Sequence, residues 1–173
     1  LKTFLNYFKE VINLKREEAQ LLSSSNNIYD ALIDDFEPEM NTEKFDKIFA
    51  NLRKNLIEIR NSIFENKKPV KELSFNFDKN LQLELAKELA NIFGYDFNIG
   101  RMDLSQHPFS TGNGNDVRIT TRVDEKDPFN CFYSTIHETG HAVYEQKIPK
   151  EFIFTPNGNG VSMGVHESQS RIF

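Results

Sequence analysis

The sequence predicts a mainly α chain with one small β-hairpin or sheet, and three observations lead there. Apolar residues recur at helical spacing through the first 94 positions. One stretch near position 120 alternates apolar and polar residues instead. Loop-forming residues then crowd into the back of the chain, where all eight glycines lie at or after Gly94 and all four histidines at or after His107. The 173 residues are therefore expected to form a single region made of a helical scaffold, 1–94, and a site-bearing half, 95–173.

Each element has a local reason. From Leu1 to about Leu22, residues Phe4, Leu5, Phe8, Val11, Ile12 and Leu22 follow a helical stripe, which SSSNN at 23–27 interrupts. A second helix from Ile28 is expected to end before Pro38. Asn41 then serves as N-cap of a long helix striped by Phe45, Ile48, Phe49, Leu52, Leu56, Ile59 and Ile63, stopping around NKKP at 66–69. Asp78 caps another, with Leu81, Leu83, Leu85, Leu89 and Ile92 as its stripe and Gly94 as its left-handed terminator. All these stripes read as core packing. DVRITTRVD, 116–124, alternates Val117, Ile119, Thr121 and Val123 against polar neighbours as a half-exposed strand does, and FNIGRMDLS, 97–105, is its expected partner across the turn-rich STGNGN. Asp127 followed by Pro128 opens a helix to Gln146. After the loop TPNGNG, a final helix starts near Ser162 and is expected to run on to Phe173.

Composition narrows the function. With 26 acidic against 21 basic side chains, a formal charge of -5, the chain lacks the basic surplus of a nucleic-acid binder. No window is apolar enough for a membrane span, so neither a nucleic acid nor a membrane is expected as a partner. The single cysteine, Cys131, reads as a buried thiol among Phe129, Phe132 and Tyr133. A reducing, cytoplasmic setting follows.

The chemistry is concentrated in STIHETGHAVYEQ, 134–146. On a helix, positions i and i+4 share a face, so His137 and His141 can aim both imidazoles at one divalent ion, about 2.0–2.1 Å from each nitrogen if it is zinc. Glu138, turned by about 100°, sits beside the ion, where it can take a proton from activated water. A catalytic zinc needs a third protein ligand. Glu145 shares the face but lies about 12 Å along the axis from His137. The longer H-E-x-x-H-x-x-G-x-x-H pattern would need a histidine at Lys147. Glu167, in VHESQSRIF on the following helix, remains and would complete a His2Glu set. Gly140, costly inside a helix by about 1 kcal/mol, points to a close neighbour over the metal face.

Four motifs in order resemble the M32 carboxypeptidases, a mainly helical zinc-peptidase family. They are HPF at 107–109, D-x-R-x-T at 116–120, H-E-x-x-H at 137–141 and H-E-S-Q at 166–169. The likeness covers residues from about 75 onward well, and the front half through its helical character. It implies zinc ligands His137, His141 and Glu167, one ion per chain with cobalt as the alternative, and Glu138 as general base. It also places His107, Asp116, Arg118 and Thr120 along or behind the substrate cleft. Arg118 can pair equally with a substrate carboxylate or with Asp116, which shares its strand face. His107, before a proline, can act as a donor or as a turn residue, and His166 adjoins a ligand and is expected to support it rather than to bind the metal itself.

The implied activity is release of C-terminal residues from peptides, with zinc activating water and Glu138 relaying the proton. An oligoendopeptidase has the same constellation without a terminal-carboxylate clamp, and a helical interaction module with a vestigial metal site is the alternative from another class. The family's later motifs, I/V-R-x-x-A-D and G-x-x-Q-D-x-H-W, are missing, and the arginine of the first is the expected carboxylate anchor. The chain is thus expected to be a fragment of a longer, homodimeric enzyme and to have little activity alone.

Overall fold

A computed structural model describes residues 2–68 and 74–172. The chain divides into two compact units, Leu1–Val70 and Lys71–Phe173. Three helices make up the first: α1 (Lys2–Leu22), α2 (Tyr29–Asp34) and α3 (Thr42–Glu65). Asn41 caps α3, its side chain accepting from the Lys44 amide. Asp30 of α2 reaches the same helix start, its Oδ1 accepting from the Thr42 amide at 2.9 Å and hydroxyl at 2.8 Å. These bonds hold the Asp30 carboxyl below the usual range, the backbone amide contributing most.

The stripe expected to pack a core along α3 is not buried. No described residue of α3 is buried, and Leu56 and Ile63 are 52% and 62% exposed. Helix α1 packs on α2 rather than along α3, so the main partner of α3 within the unit is the short α2. At 1.5 Å per residue the six-residue α2 covers about 9 Å, a quarter of what the 24-residue α3 presents.

In the second unit, α4 (Lys79–Ile92) and α5 (Pro128–Gln146) pack together and α5 lies on a three-stranded sheet. Asp78 caps α4 by accepting from the amides of Asn80 and Leu81. Gly94, at φ +94°, ends it. The amides of Gly94 and Tyr95 return to the carbonyls of Asn91 and Ala90, both at 3.0 Å, which is the paired bonding of a left-handed helix stop. The buried face of α4 differs from the expected leucine stripe. Gln82, Ala86 and Ala90 are buried, whereas Leu81, Leu85 and Ile92 are exposed. Small side chains let α4 approach α5 closely, and Gln82 Nε2 donates to the Phe77 and Asp124 carbonyls at 2.9 and 3.0 Å.

The 97–105 stretch does pair with the 116–124 strand, but as a parallel neighbour, and a strand not expected from the sequence lies on the other edge. The strands of the sheet are β1 (Met102–Leu104), β2 (Ser110–Asn113) and β3 (Asp116–Thr121), in the order β1-β3-β2. The turn-rich STGN stretch is itself the antiparallel hairpin partner, with Ser110 opposite Ile119. β1 pairs parallel to β3 on the other edge, with Met102 opposite Ile119. Val117, Ile119 and Thr121 are fully buried beside Cys131, Ala142 and Tyr95. Thr135 of α5 donates to Thr121 Oγ1 at 2.8 Å or to the Cys131 carbonyl at 2.8 Å, and the Thr121 hydroxyl lies 3.2 Å from that same carbonyl. Helix α5 is thus pinned to the central strand. Its start is capped by Asp127, which accepts from the Asn130 amide.

The last helix, α6 (Met163–Gln169), begins at the Ser162 cap but stops well short of the expected run to Phe173, a residue outside those described. Ser170 turns its hydroxyl back onto the Glu167 carbonyl at 2.7 Å, satisfying an acceptor of the last turn. Among the described residues no helix is long and apolar enough to cross a membrane.

Gly140 is where α6 meets α5. A Cβ there would lie 2.6 Å from both the Gln169 carbonyl oxygen and the Ser170 Cα. Replacing it with alanine gains about 1 kcal/mol of helix propensity but forces the backbone of α6 away, an overpacking that costs about 1–3 kcal/mol. Gly140→Ala should therefore lower the melting temperature of the full-length protein and also reduce its bound metal by elemental analysis. Unchanged metal content would show that α6 does not need this close approach.

Candidate metal centre

Helix α5 supplies His137, Glu138, His141 and Glu145, and α6 supplies His166 and Glu167. The close packing at Gly140 lets the short Glu167 side chain reach across. Its Oε2 lies 3.4 Å from His141 Nε2 and its Oε1 3.9 Å from His137 Nε2. Ligand atoms about 2.0–2.2 Å from one tetrahedral ion stand roughly 3.3–3.6 Å apart. One of these spacings matches and the other is slightly open. All three ligand atoms lie within 4.8 Å of one another, so the two imidazoles and the carboxylate fit one divalent ion. Their rings meet edge to face, with centroids 4.9 Å apart at 85°.

The electrostatics fit a cation as well. Glu138 is only 7% exposed. Burial first, and the Glu167 carboxylate second, push its carboxyl up to about 7. Burial also leads in lowering the His141 imidazole, with His166 and His137 adding to it. The shift favours the neutral imidazole, the form a metal requires. Glu167 has a further partner in Arg171, whose Nε donates to Oε1 at 3.1 Å.

Glu138 and His137 open onto a cavity of about 900 Å³ that is also lined by His107, Arg122, Asn130 and Tyr133. His107 thus reaches the same space as His137 and Glu138. Asp116, Arg118 and Thr120 do not line it. Arg118 is a fork on Asp116, its Nε at 2.9 and 3.1 Å from the two carboxylate oxygens and its second amino nitrogen at 2.7 Å. Thr120 works behind the cavity: its Oγ1 accepts from the Phe109 amide at 2.9 Å and lies 2.7 Å from Ser105 Oγ. It holds the loop that carries His107. His166 lies behind His141, the two Nδ1 atoms 2.9 Å apart.

Sequence reasoning missed Asn130, Tyr133 and Arg122 at the cavity. The first two stand seven and four residues before His137, so helical phase alone places them on its face. Arg122 follows the last residue of β3, where alternation no longer says which way a side chain turns. Its guanidinium donates to Asn130 Oδ1 at 2.8 Å and to the Gln106 carbonyl at 3.4 Å.

Several known proteins resemble this chain in sequence and in fold. Carboxypeptidase 1 of Bacillus subtilis is 38% identical over 173 residues, which is 98% of this chain and 34% of that protein. Thermostable carboxypeptidase 1 of Thermus thermophilus is 41% identical over 181 aligned positions, 97% of this chain and 35% of that one. The crystal structure of an M32 carboxypeptidase from Deinococcus radiodurans superposes with a TM-score of 0.87 at 40% identity, over 96% of this chain and 34% of the other. Metallocarboxypeptidase 1 of Trypanosoma cruzi gives 0.82 at 38% identity, over 96% and 35%. The chain therefore spans about a third of the length of these relatives. The profile described as carboxypeptidase Taq (M32) metallopeptidase matches residues 1–173 throughout, and the chain belongs to that family.

Proposed function

We propose that the full-length protein is a zinc metallocarboxypeptidase and that this chain carries its metal ligands, His137, His141 and Glu167, and its general base, Glu138. The observation carrying the proposal is the convergence of those three ligand atoms within 4.8 Å beside a carboxyl held at about 7. A divalent ion held there supplies Lewis acidity toward a carbonyl oxygen and lowers the pKa of water. Glu138 is buried at the cavity wall, beside the ligands, where its carboxylate can accept a proton and return it to the leaving amine. His107 faces the same cavity as a donor to the peptide.

Recognition of a terminal carboxylate separates this activity from that of an endopeptidase. Arg118 is committed to Asp116 and Arg171 to Glu167. Among the described residues, Arg122 is the cavity arginine whose partners are neutral, so its charge is free for a carboxylate, and we assign it that contact in this chain. The assay is hydrolysis of blocked dipeptides with free and amidated C-termini by the full-length, zinc-loaded protein. Only the free terminus should be processed, and Arg122→Met should lower kcat/KM by about 10- to 100-fold, the value of a charge-assisted hydrogen bond. Equal cleavage of the amide would favour an endopeptidase.

His137→Ala, His141→Ala and Glu167→Ala should each lose stoichiometric zinc on dialysis, since each removes one of three protein ligands. Full retention in Glu167→Ala would reassign the third ligand. Glu138→Gln keeps the ligands and the volume, so zinc should stay while turnover falls by about 10² to 10⁴.

The same variant has a signature in metal-free protein. A carboxyl raised from 4.5 to about 7 by folding binds its proton more tightly in the native state. The stability it contributes is complete below pH 4.5 and is lost as pH rises through 7, by up to about 1.4 kcal/mol per unit. Denaturant melts across that range should show this decline in the parent and a flatter profile in Glu138→Gln. Identical slopes would mean that Glu138 is not so perturbed.

A further inference from the structure

Behind the proposed ligands lies a chain of contacts that the chemistry above does not use. His141 turns Nε2 toward Glu167, 3.4 Å away, and Nδ1 toward His166 Nδ1, 2.9 Å away. The other nitrogen of His166, Nε2, lies 2.9 Å from Glu145 Oε1. Both rings are held. Their planes are within 17° of parallel with centroids 4.7 Å apart, and Tyr144 closes on His166 edge to face at 5.4 Å. A Cβ on Gly160 would sit 3.2 Å from His166 Cδ2, so that glycine lets the loop before α6 lie on the ring. Glu145 and His166 side chains are only 18% and 30% exposed.

With Glu145 ionised and both imidazoles neutral, the hydrogen bonds allow one order of protons along this chain, read from its outer end. An ionised carboxylate only accepts hydrogen bonds. Glu145 therefore requires the proton of neutral His166 on Nε2, which leaves Nδ1 as an acceptor. That acceptor requires the proton of His141 on Nδ1, which leaves the Nε2 lone pair facing Glu167 and the proposed metal position. We infer that Glu145, acting through His166, is a positioning residue that sets the tautomer and ring orientation of His141 before any ion arrives. The distance along α5 that keeps Glu145 from being a ligand is what puts it behind one. With Glu145 gone, His166 can turn its Nδ1–H on His141, whose own proton then moves to Nε2 and blocks the ligand position.

This inference rests on His141 being a ligand, and the experiment separates the two. Zinc affinity of the full-length protein is measured by chelator competition, together with nitrogen NMR of histidine-labelled, metal-free protein at mildly alkaline pH. The unsubstituted protein should show His141 protonated on Nδ1 and His166 on Nε2. Glu145→Ala should weaken zinc about 10- to 100-fold and shift both tautomers. Glu145→Gln, the same size and still bearing an acceptor oxygen, should recover part of the affinity, which a purely space-filling role would not distinguish from the glutamate itself. A His141 protonated on Nε2 in the unsubstituted protein would overturn the relay without any variant, as would unchanged zinc affinity in Glu145→Ala. Failure of the ligand assignment has a different result: His141→Ala would then retain zinc.

Discussion

The close packing of α6 on α5 at Gly140 is the constraint on which the rest of the site depends. One helix can bring His137 and His141 to a point, but its 1.5 Å rise carries the next residue on that face, Glu145, about 12 Å from the first. A third donor must come from another element, and a glutamate side chain spans only a few ångströms. The backbones must nearly touch, and any Cβ at position 140 would collide with Gln169 and Ser170. Helix propensity is given up at this position so that Glu167 can stand 3.4 Å from His141.

That proximity also sets the electrostatics. Glu138 is buried and feels the Glu167 carboxylate, so its ionised form is disfavoured, while burial disfavours a charge on His141. Two carboxylates this close repel one another alone and are balanced around a divalent cation. The opposite face of α5 is of another kind. Thr121, Thr135 and the Cys131 carbonyl share uncharged, fully buried hydrogen bonds, which hold the helix on β3 whatever the charge state of the site. A helix anchored on one face can carry an electrostatically strained group on the other.

The sheet serves the site through its loops rather than its faces. Thr120 holds the amide of Phe109, and the chain after β3 delivers Arg122 to the cavity wall. Asp116 and Arg118 satisfy one another at the start of the strand, a local pair that the residue spacing allowed and did not require. The D-x-R-x-T stretch therefore contains one brace and one self-contained ion pair.

Helix starts were legible because caps act over three residues: Asn41, Asp78, Asp127 and Ser162 each accept from an amide just ahead. The spacing of His137, Glu138 and His141 was legible for the same reason, since it is a property of one helix. The buried face of α4 was not, because apolarity marks the leucines whereas close approach to α5 selects Ala86 and Ala90. β2 escaped notice because Ser-Thr-Gly-Asn has no alternation, and its pairing energy comes from β3. The sequence by itself determined which groups could bind a metal and which could move a proton, as these depend on residue type and on local periodicity. Only the tertiary structure decided that Glu167 crosses to the histidines, that Arg122 rather than Arg118 lines the cavity, and that Glu145 stands behind His166. Each of those contacts joins separate elements or depends on the path of the chain after an element ends, and no local rule of spacing specifies either.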